Sequence, residues 1–163
     1  MSSMSDLERQ SLRYFTQREC DPQWQAFLSA LSDELSQQLS LPELRGFFYA
    51  IGARMAAQSP VEAGASLADM ERAFNGWLSP RNWGFVQIED RQNALEFLHS
   101  CAPLRAAFGA QGMAAAGAIF EGLYGTWLQQ VGIEDELELR QVGAAEGVAD
   151  TLRFRLAHRS LFA

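Results

Sequence analysis

Lysine is absent from these 163 residues, and all thirteen basic side chains are arginine. The chain therefore has neither the lysine of a phosphate-binding loop nor one to form a Schiff base. Positive charge is scarce too: against twenty carboxylates the arginines leave a net charge of −7. No cation cluster is present to hold a nucleic-acid backbone. Cysteine and histidine occur twice each. Cys20 and Cys101 lack a Cys-x-x-Cys spacing and read as free thiols of a reducing compartment. His99 and His158 have no partner at metal-ligand spacing and read as surface or edge residues near strand ends. No apolar run approaches the roughly 20 residues of a membrane span, and Met1 to Cys20 lacks the apolar core of a secretory signal. The expectation is a cytoplasmic protein with no nucleic-acid partner, no membrane insertion, no metal and no cofactor.

What is present describes a folded domain. Hydrophobic residues make up 48% and charged ones 20%, and the length suits one domain with a real core. Residues 1–20, rich in Ser, Gln and Arg but carrying Tyr14 and Phe15, read as a flexible N-terminal arm; residues 21–163 read as a single domain. Asp21-Pro22 caps a first helix with Trp24, Phe27, Leu28, Leu31 and Leu35 on its apolar side. Pro42 opens a second, with Leu44, Phe47, Phe48, Ile51 and Met55 on one face and Gly46 and Gly52 on another. Ser66 and Asp69 form a capping pair ahead of Leu67, Met70, Phe74 and Trp77.

The period then changes to two. Val86 and Ile88, with Leu95 and Phe97 on a returning segment, predict a β-hairpin. Leu137 and Leu139 alternate with Glu136, Glu138 and Arg140, while Leu152, Phe154 and Leu156 alternate with Arg153 and Arg155, which predicts a second hairpin around a loop from Val142 to Ala149. Pairing Glu138 with Arg153 also pairs Glu136 with Arg155, a ladder of opposite charges. A long helix from Met113 to Val131 separates the hairpins, preceded by a loop from Gly109 to Gly112. The fold class is α+β: N-terminal helices, β-hairpin, long central helix, C-terminal β-hairpin.

That long helix looks buried on two sides. At about 100° per residue, Ile119, Phe120, Leu123, Trp127 and Val131 share one arc, and Ala114, Ala118, Gly122 and Gly125 the other. An interior glycine costs a helix roughly 1 kcal/mol against alanine, so Gly122 and Gly125 require close approach by another backbone. That backbone belongs either to a second copy of the chain or to the helix's own domain.

Catalytic signatures are thin. Glu121 borders the small face of the helix and reads as a paired structural carboxylate. Gly109-x-x-Gly112 lacks the strand and glycine context of a dinucleotide site, and neither a Gly-x-Ser-x-Gly elbow nor a Cys/His nucleophile pattern occurs. No residue is assigned a catalytic role, and the chain is not expected to be an enzyme. Flat rings beside Arg, Asn, Gln or Glu suit a carbohydrate. Tyr14, Phe15, Trp83 and Tyr124 are the candidates, the last two with a core or interface role ahead of it.

Two segments carry more than periodicity: Arg81-Asn82-Trp83-Gly84-Phe85-Val86, leading into a strand, and Phe120-Glu121-Gly122-Leu123-Tyr124-Gly125-Thr126-Trp127 inside the long helix. Together they resemble the D-type accessory component of bacterial cellulose synthase (the BcsD family), with looser similarity over Phe27 to Leu35, Gly52 to Ala56 and the closing hairpin. The resemblance spans about Trp24 to Arg159. It implies a non-catalytic accessory protein that assembles from dimers into a cylindrical octamer on the cytoplasmic side of the synthase complex and orders nascent β-1,4-glucan chains. Some relatives also bind a proline-rich accessory protein. By the same resemblance Tyr14, Phe15 and Arg18 fall where N-terminal segments line glucan passages. Asn82, Trp83, Gly84, Glu121, Gly122, Tyr124, Gly125 and Trp127 form an oligomer interface or structural motif. The order of elements alone also resembles small-molecule-binding domains of the vinyl-reductase-like and vesicle-tethering families, which predicts an apolar cavity beside Phe120 and Leu123.

Overall fold

Short polar side chains set where the helices begin. In the computed structural model, which describes residues 4–162, Asp21 accepts a hydrogen bond from the Gln23 amide at 2.9 Å and Pro22 occupies the first turn of α2 (Pro22–Gln38). Ser40 and Glu43 make a reciprocal capping box for α3 (Leu41–Gln58). Ser66 accepts from the Asp69 amide at the start of α4 (Leu67–Leu78). Such caps satisfy amides that have no intrahelical acceptor. A further box lies in the segment expected to be a flexible arm: Ser5 and Glu8 start α1 (Asp6–Arg18), so that segment carries a helix, none of whose side chains is buried. Met1 to Ser3 and Ala163 lie outside the described residues.

A short 3-10 turn (Ser79–Arg81) leads into β1 (Phe85–Arg91) and β2 (Ala94–Ser100); α5 (Leu104–Ala116) and α6 (Ala118–Gln130) follow, then β3 (Leu137–Gln141), β4 (Leu152–His158) and a closing 3-10 turn (Arg159–Phe162). The four strands form one antiparallel sheet in the order β1-β2-β4-β3, and the class is α+β as expected. Two boundaries differ from the sequence reading. The loop expected from Gly109 to Gly112 shrinks to Gly109, whose φ of 73° interrupts α5. The single helix expected from Met113 to Val131 is divided at Gly117 into the end of α5 and all of α6.

The second hairpin has the expected faces but another register. Glu138 pairs with Ala157, not Arg153, and Arg140 stands opposite Arg155. A slip by an even number of residues keeps Leu137 and Leu139 inward, so the apolar pattern cannot distinguish the two registers. The predicted β3–β4 charge ladder is replaced by contacts elsewhere: Arg155 reaches Glu96 on β2 at 3.7 Å and Arg153 reaches Glu146 at 3.8 Å.

The core lies between the sheet and α6, where Phe120, Leu123, Tyr124 and Trp127 are fully buried against Phe97, His99, Leu152 and Phe154. The small side of α6 meets α3. A Cβ on Gly122 would stand 2.0 Å from the Tyr49 carbonyl oxygen, and one on Gly52 would stand 1.8 Å from that of Ile119. Two glycines facing each other's helix thus bring the backbones together. The close approach comes from α3 of the same chain, and not from a second copy. Phe120 and Leu123 fill the interior where the small-molecule reading required a cavity; Phe120 packs on Tyr124 and Phe154 with ring centroids 5.9 and 6.3 Å apart.

Candidate functional site

The two segments that carried the resemblance meet at a histidine. Asn82 (φ 60°) and Gly84 (φ 76°) turn the chain from α4 into β1. A side chain on Gly84 would strike the Ser100 carbonyl, at 2.2 Å from its Cβ. The turn presents the Trp83 carbonyl to Nε2 of His99 at 2.6 Å, and the Tyr124 hydroxyl bonds Nδ1 of the same ring. A carbonyl only accepts, so Nε2 carries the proton and Nδ1 accepts from Tyr124. Both side chains are fully buried. Burial pushes the His99 pKa from 6.5 down to about 4 and the Tyr124 phenol well above its usual 10, which keeps both neutral. His99 is therefore a core residue and not the edge residue expected. The sealed pair ties turn to helix and presents nothing to a ligand.

The remaining residues of the long-helix motif also point inward. Trp127 stacks on Phe74 at 5.1 Å and donates its indole N–H to the Ser59 carbonyl at 3.0 Å. Glu121 accepts from Arg45 at 2.9 Å and from the Gln141 amide at 2.6 Å, tying α3, α6 and β3 together. Gly125 seats the Tyr49 hydroxyl, 3.6 Å from where its Cβ would be. Gly122, Tyr124 and Trp127 are buried inside the chain, so any contact between copies is made by other residues. His158 is exposed, as expected, 3.6 Å from Glu136.

The surface that stands out is aromatic. Tyr14 and Phe15 on α1 are 53% and 62% exposed, and Trp24 and Phe27 on α2 are 54% and 56% exposed. Tyr14 and Phe15 pack edge to face at 5.5 Å, and the Arg18 guanidinium lies over Tyr14 and donates to its hydroxyl at 3.1 Å. This brings the three candidate glucan-contact residues together. Sequence reasoning places Trp24, Phe27 and Leu31 on the apolar side of their helix, and in the structure that part of the apolar side is exposed. Ser32, the one buried residue of α2, lies against α5, where a Cβ on Gly112 would stand 2.9 Å from its Oγ. Leu28 and Leu35 pack beside it. The apolar stripe is wider than that contact, and its outer half faces water.

Beside it, an apolar groove of about 430 Å³ runs between α2, α3 and α5, walled by Trp24, Leu31, Phe47, Ile51 and Met55, with Asn82 and Trp83 also in its lining. Among the described residues no helix is long and apolar enough to cross a membrane.

Comparison with known proteins extends the resemblance. The family model for the D component of cellulose synthase matches residues 10–155, which takes in most of α1, the aromatic face and the His99 knot. The chain is also similar to the cellulose synthase operon protein D of Komagataeibacter xylinus, at 26% identity over 109 residues, 66% of this chain and 70% of that protein.

Proposed function

The chain belongs to the family of cellulose synthase D components, and from that premise we propose that it is a non-catalytic accessory protein of the synthase that self-assembles and orders nascent β-1,4-glucan chains. The assembly is a dimer-based octamer forming a cylinder, held on the cytoplasmic side of the inner membrane by the synthase complex. Residues 1–20 act as an arm on the single domain 21–163, with Tyr14, Phe15 and Arg18 offering ring faces and a guanidinium to passing sugar rings. A proline-rich accessory protein is a further partner of this assembly.

The observation that supports the reading best is the uncovered face of α2. A chain that buries Phe74, Phe97, Phe120 and Tyr124 completely leaves Trp24 and Phe27 more than half exposed. Contiguous apolar surface of this kind on a folded domain marks an interface. Asn82 and Trp83 line the groove beside this face together with Trp24 and Leu31.

Size-exclusion chromatography with light scattering tests the assembly. The expected mass is a multiple of the 18.1 kDa chain, up to eightfold, and a monomer at every concentration overturns the proposal. Cello-oligosaccharide titration tests the glucan role, with binding expected to weaken in a Tyr14→Ala/Phe15→Ala variant.

A further inference from the structure

The two edges of the sheet are finished differently. On β1, the Asn75 side chain takes both the amide and the carbonyl of Val86 at 2.8 Å, and Glu71 takes the Ile88 amide at 2.7 Å. Helix α4 thus occupies the Val86 amide and carbonyl and the Ile88 amide, consecutive groups that another strand would need.

On β3 the phase of the ladder follows from two bonds: Arg159 donates to the Glu136 carbonyl and Val142 donates to the Arg153 carbonyl. The even-numbered residues therefore bond to β4, and Leu137, Leu139 and Gln141 direct their amides outward. Leu137 donates to the Glu134 carbonyl and Gln141 to Glu121. The Leu139 amide meets no acceptor among the described residues. Two clefts, of about 1170 and 310 Å³, run along this edge and share Tyr49, Glu121, Glu138 and Leu139 in their walls.

We propose that β3 pairs with β3 of a second copy, antiparallel and centred on Leu139, joining the two sheets across a two-fold axis. Resting on the self-assembly reading above, this names one of its interfaces. The sequence around Leu139 is complementary to itself: a two-fold through that residue sets Glu138 of each copy opposite Arg140 of the other. Both side chains are on the solvent face of the sheet, where directly opposed charges attract or repel across strands. Leu139 exchanges amide and carbonyl bonds with its counterpart, the one such exchange open on this edge since the Leu137 and Gln141 amides are held within the chain, and the same residue on each copy makes the same contact, as an isologous interface requires.

Charge exchange in trans tests the pairing. In Arg140→Glu the pairing opposes carboxylates, and in Glu138→Arg it opposes guanidiniums. Each variant alone is expected to self-associate on the order of tenfold more weakly than wild type at low ionic strength. An equimolar mixture restores opposite charges on both pairs and is expected to recover wild-type association. Rescue in trans separates the interface from the Glu138–Arg140 pair within one chain, at 3.1 Å, which the mixture does not repair. Circular dichroism of each variant verifies that it folds. If wild type self-associates and neither variant changes this, or the mixture fails to rescue, the β3 pairing is overturned while self-assembly stands. If wild type is monomeric throughout, both are overturned.

Discussion

The Tyr124 hydroxyl donates to Nδ1 of His99, whose other nitrogen donates to the Trp83 carbonyl. One imidazole thereby joins the central helix, the middle of the sheet and the turn that enters β1. Its two bonds point in different directions, and both are shielded from water. Replacing Tyr124 by Phe leaves Nδ1 buried without a donor. An unsatisfied buried acceptor costs about 1 to 3 kcal/mol, so Tyr124→Phe is expected to lower the urea midpoint by that equivalent with the m-value unchanged. An unchanged midpoint would show that the hydroxyl contributes no net stability.

The same ring makes stability depend on pH. His99 titrates near 4 in the folded protein, against an ordinary 6.5, so between these values the unfolded chain binds a proton that the native state does not. Stability therefore rises with pH through that window, is complete above about 6.5, and falls by about 3 kcal/mol as the pH drops to 4. Thermal melts from pH 4.5 to 7 are expected to show this slope in wild type and a flatter one in His99→Gln. Equal slopes in the two proteins would assign the effect to other groups.

How much of this is legible in the sequence depends on how far away the deciding partner lies. Helix caps such as Asp21 with Gln23 and Ser66 with Asp69 are settled within three residues, and the sequence pattern alone identifies them. Strand faces follow from parity, and parity also holds the signal for His99, which shares the face of Leu95 and Phe97 on the core side. The register of β3 against β4 follows no such pattern. It is fixed by how the loop closes, with Gly143 and Gly147 at positive φ and Glu146 bridged to Thr151. The glycines of α6 announce a close neighbour without saying whose backbone it is. An apolar stripe such as Trp24 to Leu35 reads the same whether its outer half is covered or wet.

The α3–α6 contact makes opposite demands at two glycines one turn apart. At Gly122 a methyl group would enter the Tyr49 carbonyl, whereas at Gly125 it would meet only the Tyr49 hydroxyl at 3.6 Å. Gly122→Ala is therefore expected to destabilise the chain by about 1 to 3 kcal/mol, the range for overpacking. Gly125→Ala gains up to about 1 kcal/mol in helix propensity and is expected to be neutral or stabilising. Chemical denaturation of the two variants measures the difference directly. Equal losses would mean that the helices can separate without penalty, contrary to the reciprocal fit of Gly52 and Gly122.

Substitution on the aromatic face separates assembly from folding, because Trp24 and Phe27 are exposed in the single chain and bear little of its core. Their rings pack edge to face on each other, at 6.0 Å. A Trp24→Glu/Phe27→Glu variant is expected to keep the wild-type circular dichroism and a thermal midpoint within a few degrees, since surface changes away from buried features shift stability by only about 0.5 kcal/mol. Its mass by light scattering is expected to fall, because a carboxylate at the centre of an apolar contact must be desolvated for the contact to form. An assembly of unchanged mass would exclude this face from the contact and leave the β3 edge to account for association. Collapse of the fold itself would show that α2 is held to the domain by its outer side as well as by Leu28, Ser32 and Leu35.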